Sequence, residues 1–171
     1  SVLPDSRYAS EAVHWLQEYN IEAMLHIPMQ PTNHNGRKYD PRKVITVSST
    51  EAQIRALIRR VKLIVPTANG MNNHQGSLAT SNSAVMKRLM RVIKSEKLFF
   101  VDSRTIGSSV AFSTAREMGI RATHKDVFID HVQTYSHSMA QIRKLVLVAK
   151  QKGQAVAIGH PFSSTLRAIR D

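Results

Sequence analysis

The sequence predicts an α/β fold with parallel strands, closed as a barrel rather than laid out as an open sheet. Three observations lead there. Apolar, strand-like runs alternate with amphipathic, helix-like runs along all 171 residues, the order expected of β/α units joined by right-handed crossovers. Polar clusters sit at the ends of the strand-like runs: His26-Ile27-Pro28-Met29, Asn72-Asn73-His74-Gln75-Gly76-Ser77, Asp102-Ser103-Arg104-Thr105, Asp130-His131 and Gly159-His160-Pro161. Chemistry in α/β folds gathers at the carboxyl ends of parallel strands, so these clusters point to one shared rim. No glycine-rich nucleotide fingerprint follows any strand, which argues against an open dinucleotide-binding sheet.

The elements follow in order. Val2-Leu3-Pro4 reads as the tail of a strand. Residues 10–19 carry Ala12, Val13, Leu16 and Tyr19 at helical spacing. Residues 22–27 read as a strand. Residues 28–47, with Pro28, Pro31, Gly36 and Pro41, read as a long polar loop that also contains His34. A loop of that length inside a compact domain is functional or mobile. Ser48-Ser49-Thr50-Glu51 has capping-box character and opens a helix carrying Ile54, Leu57, Ile58 and Val61. A short strand spans 68–72. A helix over 81–95 turns Val85, Leu89, Val92 and Ile93 inward. Residues 98–102 form the clearest strand, and a helix over 108–118 stops at Gly119, a residue suited to a left-handed cap. Two short extended pieces cover 120–123 and 127–129. The longest helix runs over 136–152 and ends at Gly153; a last strand covers 155–158, and 165–169 starts another helix. Met24, Met29, Met71, Met86 and Met90 are expected to fill gaps in the core. The pattern starts inside a strand and stops inside a helix, so a closed barrel is expected to need strands beyond both ends.

Length and composition fit one domain with a real core. No apolar run approaches the roughly 20 residues of a membrane-spanning helix. The chain has no cysteine, so any metal must be held by nitrogen and oxygen. The formal charge is +12, which alone fits nucleic acid, an anionic surface or an acidic polymer. The charge is spread over helices, at Arg55, Arg59, Arg60 and Lys62, at Lys87, Arg88, Arg91 and Lys94, and at Arg143, Lys144, Lys150 and Lys152. No basic stretch is interleaved with stacking aromatics, and no zinc-finger or RNA-recognition signature occurs, so no nucleic-acid partner is expected.

Several residues could carry chemistry. His26 is either a metal ligand or a hydrogen-bonded rim histidine. His74 lies among Asn72, Asn73, Gln75 and Ser77, a concentration of polar groups that favours function over a simple turn, with Gly76 permitting close approach. Asp102 either orients a histidine, binds metal or pairs with Arg104. His160, framed by Gly159 and Pro161, suits a general acid or a ligand. Asp130 is placed to support it as a partner one step behind. His131 to His137 shows no tight ligand spacing. Ser77 and Ser103 lack a nucleophile elbow, which argues against a serine hydrolase.

Together these stretches resemble the divergent polysaccharide deacetylase family, a bacterial and often periplasmic branch of the carbohydrate deacetylases. The matching segments are S-V-L-P-D-S at 1–6, L-H-I-P-M-Q-P at 25–31 and G-M-N-N-H-Q-G-S at 70–77. F-F-V-D-S-R-T at 99–105, D-V-F-I-D at 126–130 and A-I-G-H-P at 157–161 continue the match. The resemblance implies a distorted β/α barrel of the glycoside hydrolase and deacetylase type, with the first and last strands missing from this chain. It implies a divalent metal, typically zinc, used to remove acetyl groups from a polysaccharide. By resemblance His26 and His74 are the metal positions, His160, Asp102 and Arg104 the catalytic ones, and Asn72, Asn73, Ser77 and Asp130 the substrate-facing ones. An aspartate pair expected on a first strand, supplying a ligand and the base, has no counterpart here. Phe162 stands where the family has the second histidine of His-Pro-His. The expectation is a metal-dependent deacetylase, exported or periplasmic; the alternative is a glycan-binding or envelope protein that keeps the barrel without turnover.

Overall fold

A computed structural model describes residues 1–33 and 35–171; His34 lies outside the described residues. The chain divides into two compact units, residues 1–123 and 124–171. In the first unit come α1 (Ala9–Glu18), β1 (Ala23–Met29), α2 (Glu51–Ile64), β2 (Ala68–Gln75), α3 (Ser77–Thr80), α4 (Ser83–Ser95), β3 (Phe99–Asp102), α5 (Ala111–Glu117) and β4 (Ala122–His124), the last reaching the boundary. The second unit holds β5 (Val127–Phe128), α6 (Tyr135–Lys152), β6 (Ala157–Ile158) and α7 (Ser163–Arg170).

The strands form a four-stranded sheet in the order β1-β2-β3-β4 and a separate two-stranded sheet of β5 and β6. β1 with β2, β2 with β3 and β5 with β6 are parallel. The α/β alternation and parallel pairing read from the sequence are therefore present. A continuous barrel wall is not, because among the described residues the ladder hydrogen bonds group the strands into two sheets.

The first unit is built around one apolar face. β1 alternates strictly, with Ala23, Leu25, Ile27 and Met29 buried. Side chains two apart share a sheet face, so Met24, His26 and Pro28 lie on the other. Against the buried face pack Ile54, Leu57, Ile58 and Val61 of α2 and Val85, Met86, Leu89, Met90, Val92 and Ile93 of α4, with Met71 and Phe100 from the neighbouring strands. Each helix shows its apolar residues at three- and four-residue intervals, the stripe that burial requires. Thr50 and Gln53 cap α2 reciprocally, each side chain accepting from the other's backbone N–H, so the capping box falls two residues later than Ser48 suggests. Asn82 caps α4 by accepting from Val85 N.

Several boundaries move. β1 and β2 extend to Met29 and Gln75, so His74 stands within β2 and not beyond its end, and His26, already expected in a strand, lies in the middle of β1. The two polar clusters are carried along a ladder paired from Met24↔Gly70 to Met29↔Gln75, whose backbone bonds outweigh the low strand propensity of Asn, Gln and Gly. Tyr19 is exposed rather than inward, since α1 stops at Glu18. Met24 is half-buried on the second sheet face, whereas Met29, Met71, Met86 and Met90 are core residues.

Candidate active site

The register decides the first part of the site. His26 pairs with Asn72, and Pro28 with His74. Paired residues of parallel strands share a face, so His26, Asn72 and His74 converge on the side of the sheet opposite the core. His26 Nε2 stands 3.0 Å from His74 Nδ1, and His26 Nδ1 stands 2.9 Å from Asn72 Oδ1.

The surrounding hydrogen bonds fix which nitrogen of His26 carries its proton. The Ser103 hydroxyl donates to the carbonyl of Asn73 at 2.7 Å, which uses its one hydrogen. Toward Asn72 that oxygen can then only accept, so Asn72 turns Nδ2 to Ser103 Oγ at 3.4 Å and Oδ1 to His26. An amide oxygen only accepts, so His26 Nδ1 is the protonated nitrogen and Nε2 offers its lone pair toward His74. This is how supporting residues orient an imidazole ligand. Asn72 is 3% exposed, and its side chain holds His26.

Asn73 and Ser77 are also holding residues. Asn73 accepts from Ser103 N at 2.8 Å and donates to Gln75 O at 2.7 Å. Ser77 Oγ accepts from Thr32 N at 2.9 Å, tying the start of the long loop to α3. Asp102 is buried, and its oxygens accept from Arg104 N at 2.8 Å, Ser109 Oγ at 2.8 Å and Phe112 N at 3.3 Å. Its bonds build the loop into α5, and among the described residues none reaches an imidazole. Two non-glycine residues beside the histidines take positive φ, Gln75 at 54° and Arg104 at 43°. Such conformations persist only where neighbours over-determine them. Here Gln75 O accepts from both Asn73 Nδ2 and Thr105 Oγ1, and the Asp102 carboxylate holds Arg104 N. The long loop contributes a polar cleft of about 340 Å³ lined by Pro31, Asn33, Asn35, Arg37, Tyr39 and Gln75.

The second unit holds its own constellation. Asp130, 2% exposed, accepts from the backbone N–H of His160, from His160 Nδ1 at 3.0 Å and from Thr165 Oγ1 at 3.0 Å. Burial pushes its carboxyl pKa up, but these donors outweigh burial and hold it below the usual carboxylate range. The carboxylate accepts only, so His160 Nδ1 donates and the half-exposed ring turns Nε2 outward. Gly159 packs closely beside it: a Cβ there would lie 3.3 Å from Asp130 Oδ2, Ile129 Cβ and Thr165 Cγ2 alike, and these neighbours would have to shift by a few tenths of an ångström. Thr165 was not legible in the sequence, because only the turn into α7 brings it to Asp130.

The donor set fits a divalent cation in part. Two nitrogens ligating one zinc at about 2.0–2.1 Å lie roughly 3–3.5 Å apart, and the His26–His74 separation of 3.0 Å matches. Among the described residues no group of three or more His, Asp or Glu side chains gathers around it. His26 and His74 thus have the separation of two ligand positions on one cation.

A parallel α/β sheet with paired imidazoles on one face, and a carboxylate–imidazole pair in the second unit, define a class: α/β proteins with histidine-bearing polar clusters. Comparison narrows the class. The family model for divergent polysaccharide deacetylases matches residues 1–171, and the chain belongs to that family. An uncharacterized protein of Haemophilus influenzae is 32% identical over 174 residues, covering 99% of this chain and 60% of the relative. The uncharacterized protein YibQ of Escherichia coli is 31% identical over 170 residues, covering 99% of this chain and 52% of the relative. The chain thus spans little more than half the length of these relatives. The crystal structure of an uncharacterized protein from Agrobacterium tumefaciens C58 superposes with a TM-score of 0.80 at 19% identity, over 98% of this chain and 77% of that one. That likeness is one of fold. No helix among the described residues is long and apolar enough to cross a membrane.

Proposed function

We propose that this chain is the core of a metal-dependent hydrolase that removes acetyl groups from a polysaccharide. The observation that carries the reading is the imidazole pair: the Asn72 hydrogen bond orients His26 so that its Nε2 faces His74 Nδ1 at 3.0 Å. His26 and His74 would hold a divalent cation, zinc by family resemblance. Bound there, the cation would supply a Lewis acid that acidifies water and polarises the acetyl carbonyl. His160 takes the role of general acid. In its imidazolium form Nε2–H is the transferable proton, and Asp130 keeps Nδ1–H occupied and the ring oriented. Hydrolysis would form a bond from water's oxygen to the acetyl carbon and break its C–N or C–O bond to the sugar, releasing acetate and leaving a proton on the sugar nitrogen or oxygen. Arg104 and the polar cleft beside Gln75 are assigned to the glycan. The setting is periplasmic or otherwise exported, as for the family.

The test is acetate release from acetylated chitooligosaccharide and peptidoglycan by the protein supplied with zinc. His26→Ala, His74→Ala and His160→Ala should each abolish it. Loss of metal uptake in the first two, and its retention in His160→Ala, is the expected pattern. A second reading has one observation in its favour, the two-donor count among the described residues. A glycan-binding envelope protein without turnover would bind the same oligosaccharides and release no acetate with metal bound.

A further inference from the structure

One side-chain pair in the second unit has no part in that reading. His131 follows β5, and His137 lies in the first turn of α6. Their six-residue separation matches no helical ligand spacing. The intervening turn brings them together all the same. Thr134 caps α6 by accepting from His137 N at 3.3 Å, which folds the start of the helix back on His131. His131 Nδ1 and His137 Nε2 then stand 3.2 Å apart, with ring centroids at 4.2 Å and planes at 84°. Phe128 lies against the outer side of His131, centroid to centroid 6.4 Å.

We propose that His131 and His137 form a second, surface-exposed site for a borderline transition-metal cation. The geometry supports it: nitrogens 3.2 Å apart, each at about 2.0–2.1 Å from one ion, subtend roughly 100–105° at that ion, close to the tetrahedral value. The separation is nearly that of His26 and His74. Water fills the remaining positions, because both rings lie at the surface. The electrostatics select the ligand class. The pair sits at the positive end of α6 on a chain of formal charge +12, so a hard cation attracted by charge alone is disfavoured. A cation bound through nitrogen lone pairs is not, and affinity should follow Zn2+ and Ni2+ below Cu2+. The proposal is independent of the deacetylase reading.

The experiment is titration of the 171-residue chain with Cu2+, Ni2+ and Zn2+ at neutral pH, in a His26→Ala/His74→Ala background that removes the other pair. One equivalent should bind, Cu2+ the tightest, and His131→Ala and His137→Ala should each weaken it at least tenfold. Calcium and magnesium should not bind. A second measurement reads the location directly: substoichiometric Cu2+ added to the same His26→Ala/His74→Ala chain should broaden the NMR signals of His131, His137 and Phe128. Undiminished affinity in both single variants, broadening centred elsewhere, or equal binding of calcium would each overturn the proposal.

Discussion

Replacing Asp130 by asparagine tests the electrostatic design of the second unit at the level of one proton. The carboxylate accepts three hydrogen bonds. Its Oδ2 takes two, from His160 N and Thr165 Oγ1, and its Oδ1 takes one, from His160 Nδ1. A backbone N–H cannot accept, so the asparagine amide must keep its oxygen at the Oδ2 position. Its NH2 group then faces His160 Nδ1, which has to accept. The neutral ring is forced from the Nδ1–H to the Nε2–H tautomer, and the outward nitrogen exchanges its lone pair for a proton. The magnitude follows from the bonds. Hydrogen bonds to a charged group contribute about 1.5–3 kcal/mol and neutral ones about 0.5–1.5. Losing the charge therefore costs roughly 1 kcal/mol per bond over three bonds, offset in part by the easier burial of a neutral amide. A net loss of about 1–2 kcal/mol corresponds to a Tm lower by about 2–8 °C. Long-range nitrogen–proton NMR of the histidine rings, taken where His160 is neutral, reads the tautomer directly. A His160 ring still protonated at Nδ1 in Asp130→Asn would refute the reasoning. Acetate release, if the hydrolase reading holds, should fall with the tautomer change.

Three further outcomes are expected. Asn72→Ala should leave His26 Nδ1 without its acceptor and weaken zinc binding by about 10–100-fold; calorimetric titration that returns unchanged affinity would remove Asn72 from any supporting role. Gly76→Ala should destabilise the chain by about 2–5 kcal/mol, from the left-handed backbone and from overpacking, because φ is +94° and a Cβ would lie 2.7 Å from Met29 Cβ; a thermal melt within a degree of the parent would contradict this. Glu96 is held below the usual carboxylate range chiefly by the hydrogen bond from Lys62, then by Arg59, and Asp130 lies below it too. Folded values below unfolded ones mean stability that is complete above the ordinary carboxylate pKa and lost as pH falls through the folded values. Tm should hold from neutrality to about pH 5 and drop below about pH 4, less steeply in Glu96→Gln; a Tm that climbs on acidification would reverse the sign of the argument.

Much of the fold was legible in the residues because it rests on local chemistry. The α/β alternation, the inward residues of α2 and α4, and the glycines that stop α5 and α6 all follow from periodicity and backbone permissiveness. Gly119 and Gly153 indeed take φ of 72° and 79°. The polar ends of β1 and β2 were read as loops because propensity sees Asn, Gln and Pro but not the partner strand that satisfies their backbone. The hydrogen bonds that Asn72, Asn73 and Asp102 make within the protein were hidden in the sequence for a related reason. A polar side chain near a strand end looks the same whether it faces a ligand or stitches two loops together.

What the sequence by itself determined was the set of chemical actors and the order of elements, because hydrophobic spacing and residue type are written position by position. Only the tertiary structure decided which actors meet. The register that pairs Pro28 with His74 brings two imidazoles 48 residues apart in sequence onto one face. The Ser103–Asn73 bond decides which nitrogen of His26 is protonated. The Thr134 cap brings His131 to His137, a contact that residue spacing argues against. Distances between side chains depend on strand register and turn geometry, and these are fixed by the packing and hydrogen bonding of the whole unit, not by the residues that meet.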